Sequence, residues 1–310
     1  MPLQAERVGT CLAAEMTGVE LAAPLDDAMV DAISAALVEN ELLIFRDQVM
    51  TTEQQIALGN KFGELTLHPF APNGGETPEL IVFDHDETNP PWGTDRWHSD
   101  ETFRDEPPMG TILRAQIVPK PGGDTVFASM SAAYDGLSDR MQHFISGMEA
   151  VHDFKPFRPL FEDTPESRKD LHYFEDKYPP ATHPIVREHP VSGRKVLFVN
   201  PQFTVAVKGM DERESRSLLD TLFQQIVVPE YQYRVVWQPD TLIFWDNRSV
   251  QHYAIHDYYP QRRRLERVTI KGDRPFGPVA AADPLDIRPR KEIPAGGVHG
   301  AHGGHAPKRV

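Results

Sequence analysis

Cysteine is nearly absent from this 310-residue chain, in which Cys11 is the one example. A single thiol excludes an internal disulfide framework and a zinc site built from several cysteines. The sequence also lacks any run of about 18 apolar residues, the length that a membrane-spanning helix needs. Its first residues lack a basic start followed by an apolar stretch, which is the pattern of a secretion signal. These absences predict a cytoplasmic protein without a membrane span.

Positive charge is also scarce, because 32 Lys and Arg stand against 46 Asp and Glu, for a formal net charge of -14. A broad surface for nucleic acid or anionic lipid needs clustered positive charge, so neither partner is expected. A small anion remains compatible with this balance, since a local arginine pocket is sufficient to bind it.

Short apolar segments separated by proline and glycine dominate the chain from residue 110 onward. They read "TILRAQIV", "DTVFAS", "KVLFVN", "YRVVWQ", "TLIFWD" and "RVTIKG", and "ELLIFRD" precedes them. This pattern predicts a mainly β fold, a sandwich or barrel with helices packed outside it.

Helical patterns appear in four segments, of which residues 25–40 are the first. In the second, Thr52 and Gln55 have the spacing of a capping box, and Gly63 can end the helix. The other two helices are predicted around residues 137–148 and 211–227.

Two further segments differ from this β-rich body. Residues 154–184 are polar, contain proline and are weakly periodic, so we interpret them as a long excursion that can cover a site. Residues 277–310 include the low-complexity run "GGVHGAHGGHAPKRV" and are predicted to form a flexible tail, whose histidines need no metal-binding role. We therefore expect a single domain over residues 1–276.

The stretch "RWHSDETF" places His98 and Asp100 two positions apart. In an extended chain, side chains at i and i+2 point to the same side, so this imidazole and carboxylate can converge. A redox iron site uses two histidines and one carboxylate on one face of the metal, which leaves its other face open. His252, in "TLIFWDNRSVQHYAIHDY", is the candidate third ligand because it follows an apolar strand and a polar turn. On spacing alone, a structural His–Asp pair at a polar strand end remains the stronger interpretation.

The stretch "QRRRLERVTIKG" has the alternation of a strand on which Arg263, Leu265 and Arg267 share one side. Two arginines on a buried face would be costly without anionic partners. The alternative is a solvated strand edge, which we accept for Arg262 and Arg264. For Arg263 and Arg267 we expect bound anions.

Five segments together resemble the taurine dioxygenase / 2,4-D dioxygenase (TauD/TfdA) family of iron(II), 2-oxoglutarate-dependent oxygenases. In family order they are "WHSDETF", "GGDTVFASMSAAYDGL", "HPVSGRKVLFVN", "WDNRSVQHYAIHDY" and "RRRLERVTIKGDRP". The resemblance runs from about residue 8 to about residue 276. It implies a double-stranded β-helix, which is a jelly-roll core with surrounding helices.

The resemblance also implies roles for individual residues. His98, Asp100 and His252 would bind iron(II), with 2-oxoglutarate and O2 as co-substrates. Thr125 and Arg263 match the positions that hold the distal carboxylate of 2-oxoglutarate. A third set of positions would contact the substrate, and it comprises His68 and Arg267 for its anionic head and Thr94, Phe157 and Phe203 for the rest of its pocket.

Departures from the taurine enzymes bear on the substrate. Ala71 stands where those enzymes have a substrate-binding tyrosine, and Phe157 and Arg158 replace a serine and a phenylalanine. The residues that match the acid-binding positions are retained, whereas those that match the positions around the amine end of taurine are not. We therefore expect hydroxylation of a bulkier or more apolar sulfonate, sulfate ester or carboxylate rather than of taurine.

Two other functions remain open on the residues alone. A zinc hydrolase could use the same three ligands with a metal-bound water, but it would leave Arg263 and Thr125 without a task. A non-catalytic jelly-roll binding protein would need neither the triad nor two buried arginines. The family analogy further predicts a homo-oligomer, either a dimer or a tetramer.

Overall fold

The computed structural model describes residues 2–67 and 77–278, and the structural statements below concern these residues. Within them the chain is mainly β, with helices packed beside the strands. The strands are β1 (Gln4–Arg7), β2 (Ala14–Thr17), β3 (Leu42–Phe45), β4 (Leu80–His85), β5 (Gly110–Ile117), β6 (Thr125–Ser129), β7 (Glu149–His152), β8 (Ala181–Pro184), β9 (Val186–Glu188), β10 (Lys195–Leu197), β11 (Thr204–Val207), β12 (Gln232–Val235), β13 (Leu242–Asp246), β14 (Val250–Ala254) and β15 (Arg263–Ile270). The α-helices are α1 (Asp27–Asn40), α2 (Thr52–Phe62), α3 (Met130–Asp135), α4 (Asp139–Ile145), α5 (Pro165–Lys177) and α6 (Glu212–Phe223).

The largest sheet has seven strands in the order β1-β2-β3-β13-β5-β15-β4. Its neighbours pair antiparallel, except that β2 and β3 run parallel. Three smaller sheets have the orders β12-β6-β14, β11-β7-β8 and β10-β9. The mainly β class with flanking helices is thus confirmed. From residue 279 onward, the predicted tail lies outside the described residues.

Strands β3 and β13 in the middle of the seven-stranded sheet are buried at every residue, which explains their unbroken apolar runs. On β3, Leu42 and Ile44 enter a core shared with Phe127 of β6, so the large sheet packs against β12-β6-β14. Leu43 and Phe45 point to the other face, because successive strand side chains alternate. There they join a second core that includes residues of α1 and α2.

The N-cap of helix α2 lies one residue earlier in the chain than the sequence pattern predicted. Thr51 is the N-cap and forms the capping box with Gln54, whereas the predicted pair was Thr52 and Gln55. Thr52 instead donates to Glu266 at 3.0 Å. Gln55 is fully buried and donates to the Glu266 carbonyl, so tertiary contacts decide the register. The predicted helix end at Gly63 is confirmed.

Residues 154–184 contain more helix than their weak periodicity predicted. A short 3₁₀ helix covers Lys155–Leu160, and α5 follows with Thr164 as N-cap and proline at its start. Helix α5 is largely polar and has no fully buried residue. Two of its side chains, Leu171 and Phe174, pack against the buried aromatic cluster of Phe103, Phe154 and Phe203.

None of the helices in the described parts of the chain is long and apolar enough to cross a membrane.

A buried ion pair ties β5 to β15 in the large sheet. The Arg114 guanidinium donates to the Glu266 carboxylate at 2.8 Å, and both side chains are almost fully buried. Arg114 also donates to the Met50 carbonyl and to Gln55. Removing the carboxylate would leave a buried cation without its anionic partner.

We predict that Glu266→Gln lowers the free energy of unfolding by about 3–5 kcal/mol, the usual cost of breaking a buried pair from one side. Urea unfolding followed by circular dichroism measures this change. The control is Asp220→Asn, which breaks the exposed Arg216–Asp220 pair on α6. It should cost at most about 1 kcal/mol, as exposed pairs do. Similar losses in both variants would contradict the prediction.

Candidate metal centre

His98 and His252 are brought together by backbone pairing. The two residues form an isolated antiparallel bridge, in which each backbone N–H donates to the other's carbonyl at 3.1 and 2.8 Å. The bridge attaches the loop that contains His98 to β14, and the imidazole centroids lie 4.2 Å apart. The two histidines are far apart in the sequence, and the backbone bridge at the sheet edge brings them together.

Asp100 lies in a turn after this bridge rather than in an extended strand. One of its carboxylate oxygens accepts from the Thr111 hydroxyl at 2.8 Å, and the other accepts from Arg267 at 3.0 Å. Its backbone is bonded on both sides to the Asn247 carboxamide. The predicted convergence of His98 and Asp100 is therefore present, although a turn produces it.

The three predicted ligands form one buried cluster. One ligand atom from each of His98, Asp100 and His252 lies within 4.8 Å of the other two, and all three residues are buried. His98 Nε2 is 3.9 Å from Asp100 Oδ1. Among the described residues, this is the one group of three or more His, Cys, Asp or Glu side chains with such spacing.

The protonation states of this cluster suit a divalent metal. Burial lowers the pKa of His98, and burial together with the charge of His98 lowers the pKa of His252 to about 3. Burial raises the pKa of Asp100, but the positive charge of Arg267 opposes this effect, and the pKa falls below its ordinary value. Two neutral imidazoles and one carboxylate therefore face one point at neutral pH.

The ring nitrogens give further support to metal binding. His98 Nδ1 lies 2.7 Å from the Arg96 carbonyl, so this nitrogen carries the proton and Nε2 keeps its lone pair for a ligand bond. His252 Nδ1 is buried and has no hydrogen-bond partner among the described residues. The His252 ring is held by Phe127 and Trp245, whose centroids are 5.8 and 4.8 Å away.

Arg263 is a buried cation without a carboxylate partner. No carboxylate oxygen of the described residues lies within 4.0 Å of its guanidinium, and its Nε has no hydrogen-bond partner there. Its Nη2 donates to the Thr125 hydroxyl at 3.4 Å, and Tyr258 lies 5.5 Å from the guanidinium carbon. Burial lowers the Arg263 pKa to about 10, so the group stays charged at neutral pH.

Gly123 makes room for the Arg263 side chain. It has φ +78°, and a Cβ added to it would lie 3.1 Å from Arg263 Cδ and 3.0 Å from Pro119. Thr125, two residues on, accepts from the Trp237 indole at 3.1 Å. The turn before β6 thus places a small backbone and a hydroxyl beside the arginine.

A small cavity of about 50 Å³ joins these groups. It lies between β15 of the large sheet and β6 and β14 of a smaller one. Its polar lining includes both candidate ligand histidines, Thr125, and the two arginines predicted to bind anions: His98, His252, Thr125, Arg263 and Arg267. Arg267 is buried and lies 5.3 Å from the Phe83 ring.

The residues predicted to line the substrate pocket have different surroundings. Phe203 meets the His98 ring edge-on at 6.2 Å, and Phe157 lies 5.7 Å from Phe203. Thr94 lines the cavity, and its hydroxyl is 2.9 Å from His256 Nε2. His68 lies outside the described residues, as does Ala71.

Sequence reasoning did not single out Asn247, Thr111, Gly123 or Trp237. Asn247 lies in the polar turn of "TLIFWDNRSVQHYAIHDY", and a carboxamide at such a turn is a signal that could have been used. Thr111 is an ordinary strand residue in the sequence, so nothing local marks it.

A family model described as "Taurine catabolism dioxygenase TauD, TfdA family" matches residues 4–269. The chain belongs to this family. Membership confirms the resemblance that the motifs predicted, and it agrees with the His–Asp–His cluster.

Individual relatives extend this result. An alpha-ketoglutarate-dependent sulfate ester dioxygenase of Pseudomonas putida is 33% identical over 282 residues, which are 89% of this chain and 92% of the relative. An alpha-ketoglutarate-dependent 2,4-dichlorophenoxyacetate dioxygenase of Cupriavidus pinatubonensis is 31% identical, over 88% of this chain and 99% of the relative. The crystal structure of AAD-2 in complex with Mn(II) and N-oxalylglycine has a TM-score of 0.72 and 28% identity, and covers 88% of this chain and 99% of AAD-2.

We predict that the metal-free protein loses stability as the pH falls from about 6.5 to about 3. The folded His252 pKa of about 3 lies below the unfolded value, so the unfolded chain binds the extra proton in this window. The stabilising contribution is complete above the unfolded pKa and is lost as the pH falls toward the folded one. Urea unfolding with a chelator, at several pH values, should show a shallower pH dependence for His252→Gln. An unchanged slope in this variant would contradict the assignment.

Proposed function

We propose that this protein is an iron(II)- and 2-oxoglutarate-dependent dioxygenase that hydroxylates a small organic anion. The observation that carries the proposal is one cavity lined both by the two histidines of the His98–Asp100–His252 cluster and by Arg263, a buried cation without a carboxylate partner. A metal site alone would not require Arg263. A metal-chelating dicarboxylate would, because its second carboxylate needs a cation at a fixed distance from the metal.

The donor set fits the proposed metal. Two imidazoles and one carboxylate are the ligands of non-haem iron(II) oxygenases, which keep open positions for co-substrates. None of the three candidate ligands is a cysteine, which also fits iron(II). When bound, iron(II), 2-oxoglutarate and O2 together supply the oxidant, and 2-oxoglutarate leaves as succinate and CO2.

The chain's own residues bind, orient and shield the reacting groups. Arg263 would hold the distal carboxylate of 2-oxoglutarate through charge-assisted hydrogen bonds, with the Thr125 hydroxyl as a second donor. Arg267 would keep its contact with Asp100 and also bind the anionic head of the substrate. The two guanidinium groups then keep both anions in place while Phe203 covers the side of His98. Fixed positions matter here because an uncontrolled oxidant would attack whatever lies near.

We infer that the sheets form a double-stranded β-helix. The packing of the seven-stranded sheet against β12-β6-β14 supports this fold, since the cavity lies between them. The small sheets β11-β7-β8 and β10-β9 would extend the second layer.

The proposed substrate class rests on the aromatic cluster beside His98 and on the relatives. Phe203 and Phe157 belong to an aromatic cluster beside His98, which favours an apolar body on the substrate. Relatives act on a sulfate ester and on 2,4-dichlorophenoxyacetate. We propose a sulfonate, alkyl sulfate or carboxylate with such a body. Hydroxylation of a carbon that bears sulfur or an ester oxygen would release an aldehyde and sulfite or sulfate.

Further features of the protein remain proposals. His68 and Thr94 would contact the substrate. One domain over residues 1–276, a cytoplasmic location and a homo-oligomer complete this description. The two alternative functions lose support, because the family comprises dioxygenases and neither alternative uses Arg263.

We predict a weak visible charge-transfer band when iron(II) and 2-oxoglutarate are added to the protein without O2. The band arises only if 2-oxoglutarate chelates the metal, so His98→Ala and Asp100→Ala should abolish it. Absorption spectroscopy under anaerobic conditions measures it. A normal band in both variants would show that the metal binds elsewhere.

The two arginine variants should have different effects. Arg263→Ala should weaken 2-oxoglutarate binding about 10- to 100-fold, because a hydrogen bond to a charged group contributes about 1.5–3 kcal/mol. Arg267→Ala should mainly weaken the binding of the prime substrate. Titration of the charge-transfer band and the substrate dependence of succinate formation separate the two. Arg262→Ala is the control, since this exposed neighbour pairs with Asp84 at the surface. Identical effects of Arg263→Ala and Arg267→Ala would contradict the assignment of two anion sites.

Substrate-stimulated succinate formation should identify the prime substrate. Sulfonates, alkyl sulfates and aryloxy acids form the test set, with sulfite and sulfate measured as products. Taurine should stimulate less than a sulfonate or sulfate with an apolar body. A preference for taurine would contradict the proposed substrate class.

A further inference from the structure

Asn247 holds the turn that contains Asp100. Its carboxamide oxygen accepts from the Asp100 backbone N–H at 2.6 Å, and its amide nitrogen donates to the Asp100 carbonyl at 3.0 Å. The same nitrogen donates to the Pro108 carbonyl at 3.1 Å. One buried side chain therefore binds both backbone groups of a predicted metal ligand and connects them to the chain segment that leads into β5.

Asn247 is itself held in place on two sides. Its backbone N–H donates to the Met109 carbonyl at 2.9 Å. The preceding residue, Asp246, is fully buried, and its carboxylate accepts from Arg248 at 2.8 and 2.7 Å and from His189 at 2.9 Å. The carboxamide thus projects from a rigid turn and not from a mobile loop.

Thr111 completes the arrangement from β5. Its side chain is fully buried, and its hydroxyl donates to Asp100 Oδ2 at 2.8 Å. Because Asn247 ties Asp100 to Pro108, and β5 starts at Gly110, the position of Thr111 relative to Asp100 is set by the same contacts.

The turn needs such support because no strand ladder reaches Asp100. The bridge to β14 ends at His98, and Glu101 has a positive φ of 48°, which an L-residue adopts at a cost. Without the carboxamide, the buried backbone groups of Asp100 would lose their partners. The carboxylate could then leave the position from which it faces His98 and His252.

We propose that Asn247 and Thr111 are positioning residues for the metal site, Asn247 for the backbone of Asp100 and Thr111 for the rotation of its carboxylate. This inference rests on the proposed function, because it assumes that Asp100 is a metal ligand. Partners of metal ligands typically change metal affinity by about 10- to 100-fold when they are removed. The expected effect is therefore on metal binding and not only on stability.

The experiment is a Co(II) titration of the metal-free full chain, followed by the visible ligand-field bands of Co(II). Asp100→Ala provides the baseline for Co(II) bound elsewhere, including the histidines of residues 277–310. The site is the absorption that the parent shows and this variant lacks. Asn247→Ala and Thr111→Val should bind Co(II) at this site about 10- to 100-fold more weakly, with altered band positions.

Two controls distinguish positioning from general support. Thr111→Ser keeps the hydroxyl and should retain the parent's affinity and bands. Gln48→Ala removes a matched buried carboxamide, which accepts from the Leu21 N–H at 2.9 Å and donates to the Arg46 carbonyl at 3.0 Å. It should lower the melting temperature but leave Co(II) binding unchanged.

Each outcome bears on the inference. Parent-like Co(II) affinity in Asn247→Ala overturns the role of Asn247, and equal weakening in Thr111→Val and Thr111→Ser overturns that of Thr111. Weakening in Gln48→Ala as large as that in Asn247→Ala assigns the effect to lost stability and overturns both. If Asn247→Ala does not fold, the two Thr111 variants decide. A parent without any Asp100-dependent site refutes the proposed function itself, whereas a normal parent with unaffected variants refutes this inference alone.

Discussion

The ion pair between Asp100 and Arg267 is the interaction on which the candidate site depends. Burial raises the pKa of Asp100, but the positive charge of Arg267 opposes this effect, and the pKa lies below its ordinary value. The pair keeps a carboxylate ionised inside the protein, next to two imidazoles that burial keeps neutral. One anion and two neutral nitrogen donors form a donor set that suits a divalent cation.

Arg263 lines the same cavity as Arg267 but has no carboxylate partner among the described residues. Arg267 has a carboxylate within 3.0 Å, whereas Arg263 has a threonine hydroxyl and aromatic faces. Both arginines project from one side of β15, four positions apart, so the strand holds the two cations at a constant separation. A buried cation without an anion is unfavourable, and binding a carboxylate there would relieve this cost. The candidate metal ligands therefore lie near Arg267, and the proposed anion site lies at Arg263, farther along the same strand.

The rigidity of this arrangement comes from two sheets that share one core. The large sheet contributes β15 and, through Thr111, β5, while the smaller sheet contributes His252 and Thr125. Phe127, Trp245 and Leu265 fill the space behind the cavity, so neither sheet can shift without opening a void in a packed core. The loop that contains His98 and Asp100 is the exception, and it depends on the bridge to His252 and on Asn247.

The sequence by itself determined the local patterns: the alternation on β15, the spacing of His98 and Asp100, and the apolar strands, together with the family to which they belong. Such patterns report on geometry over a few residues, because neighbouring side chains share one backbone conformation. Tertiary structure alone decided that Asp100 lies in a turn held by Asn247, 147 positions away, and that α2 is capped by Thr51. It also decided that α5 is a helix. Only two side chains of this helix meet the aromatic cluster, and for this reason its apolar periodicity in the sequence is weak. Contacts between distant segments leave no periodic trace in the chain, and for this reason they could be found only in the folded molecule.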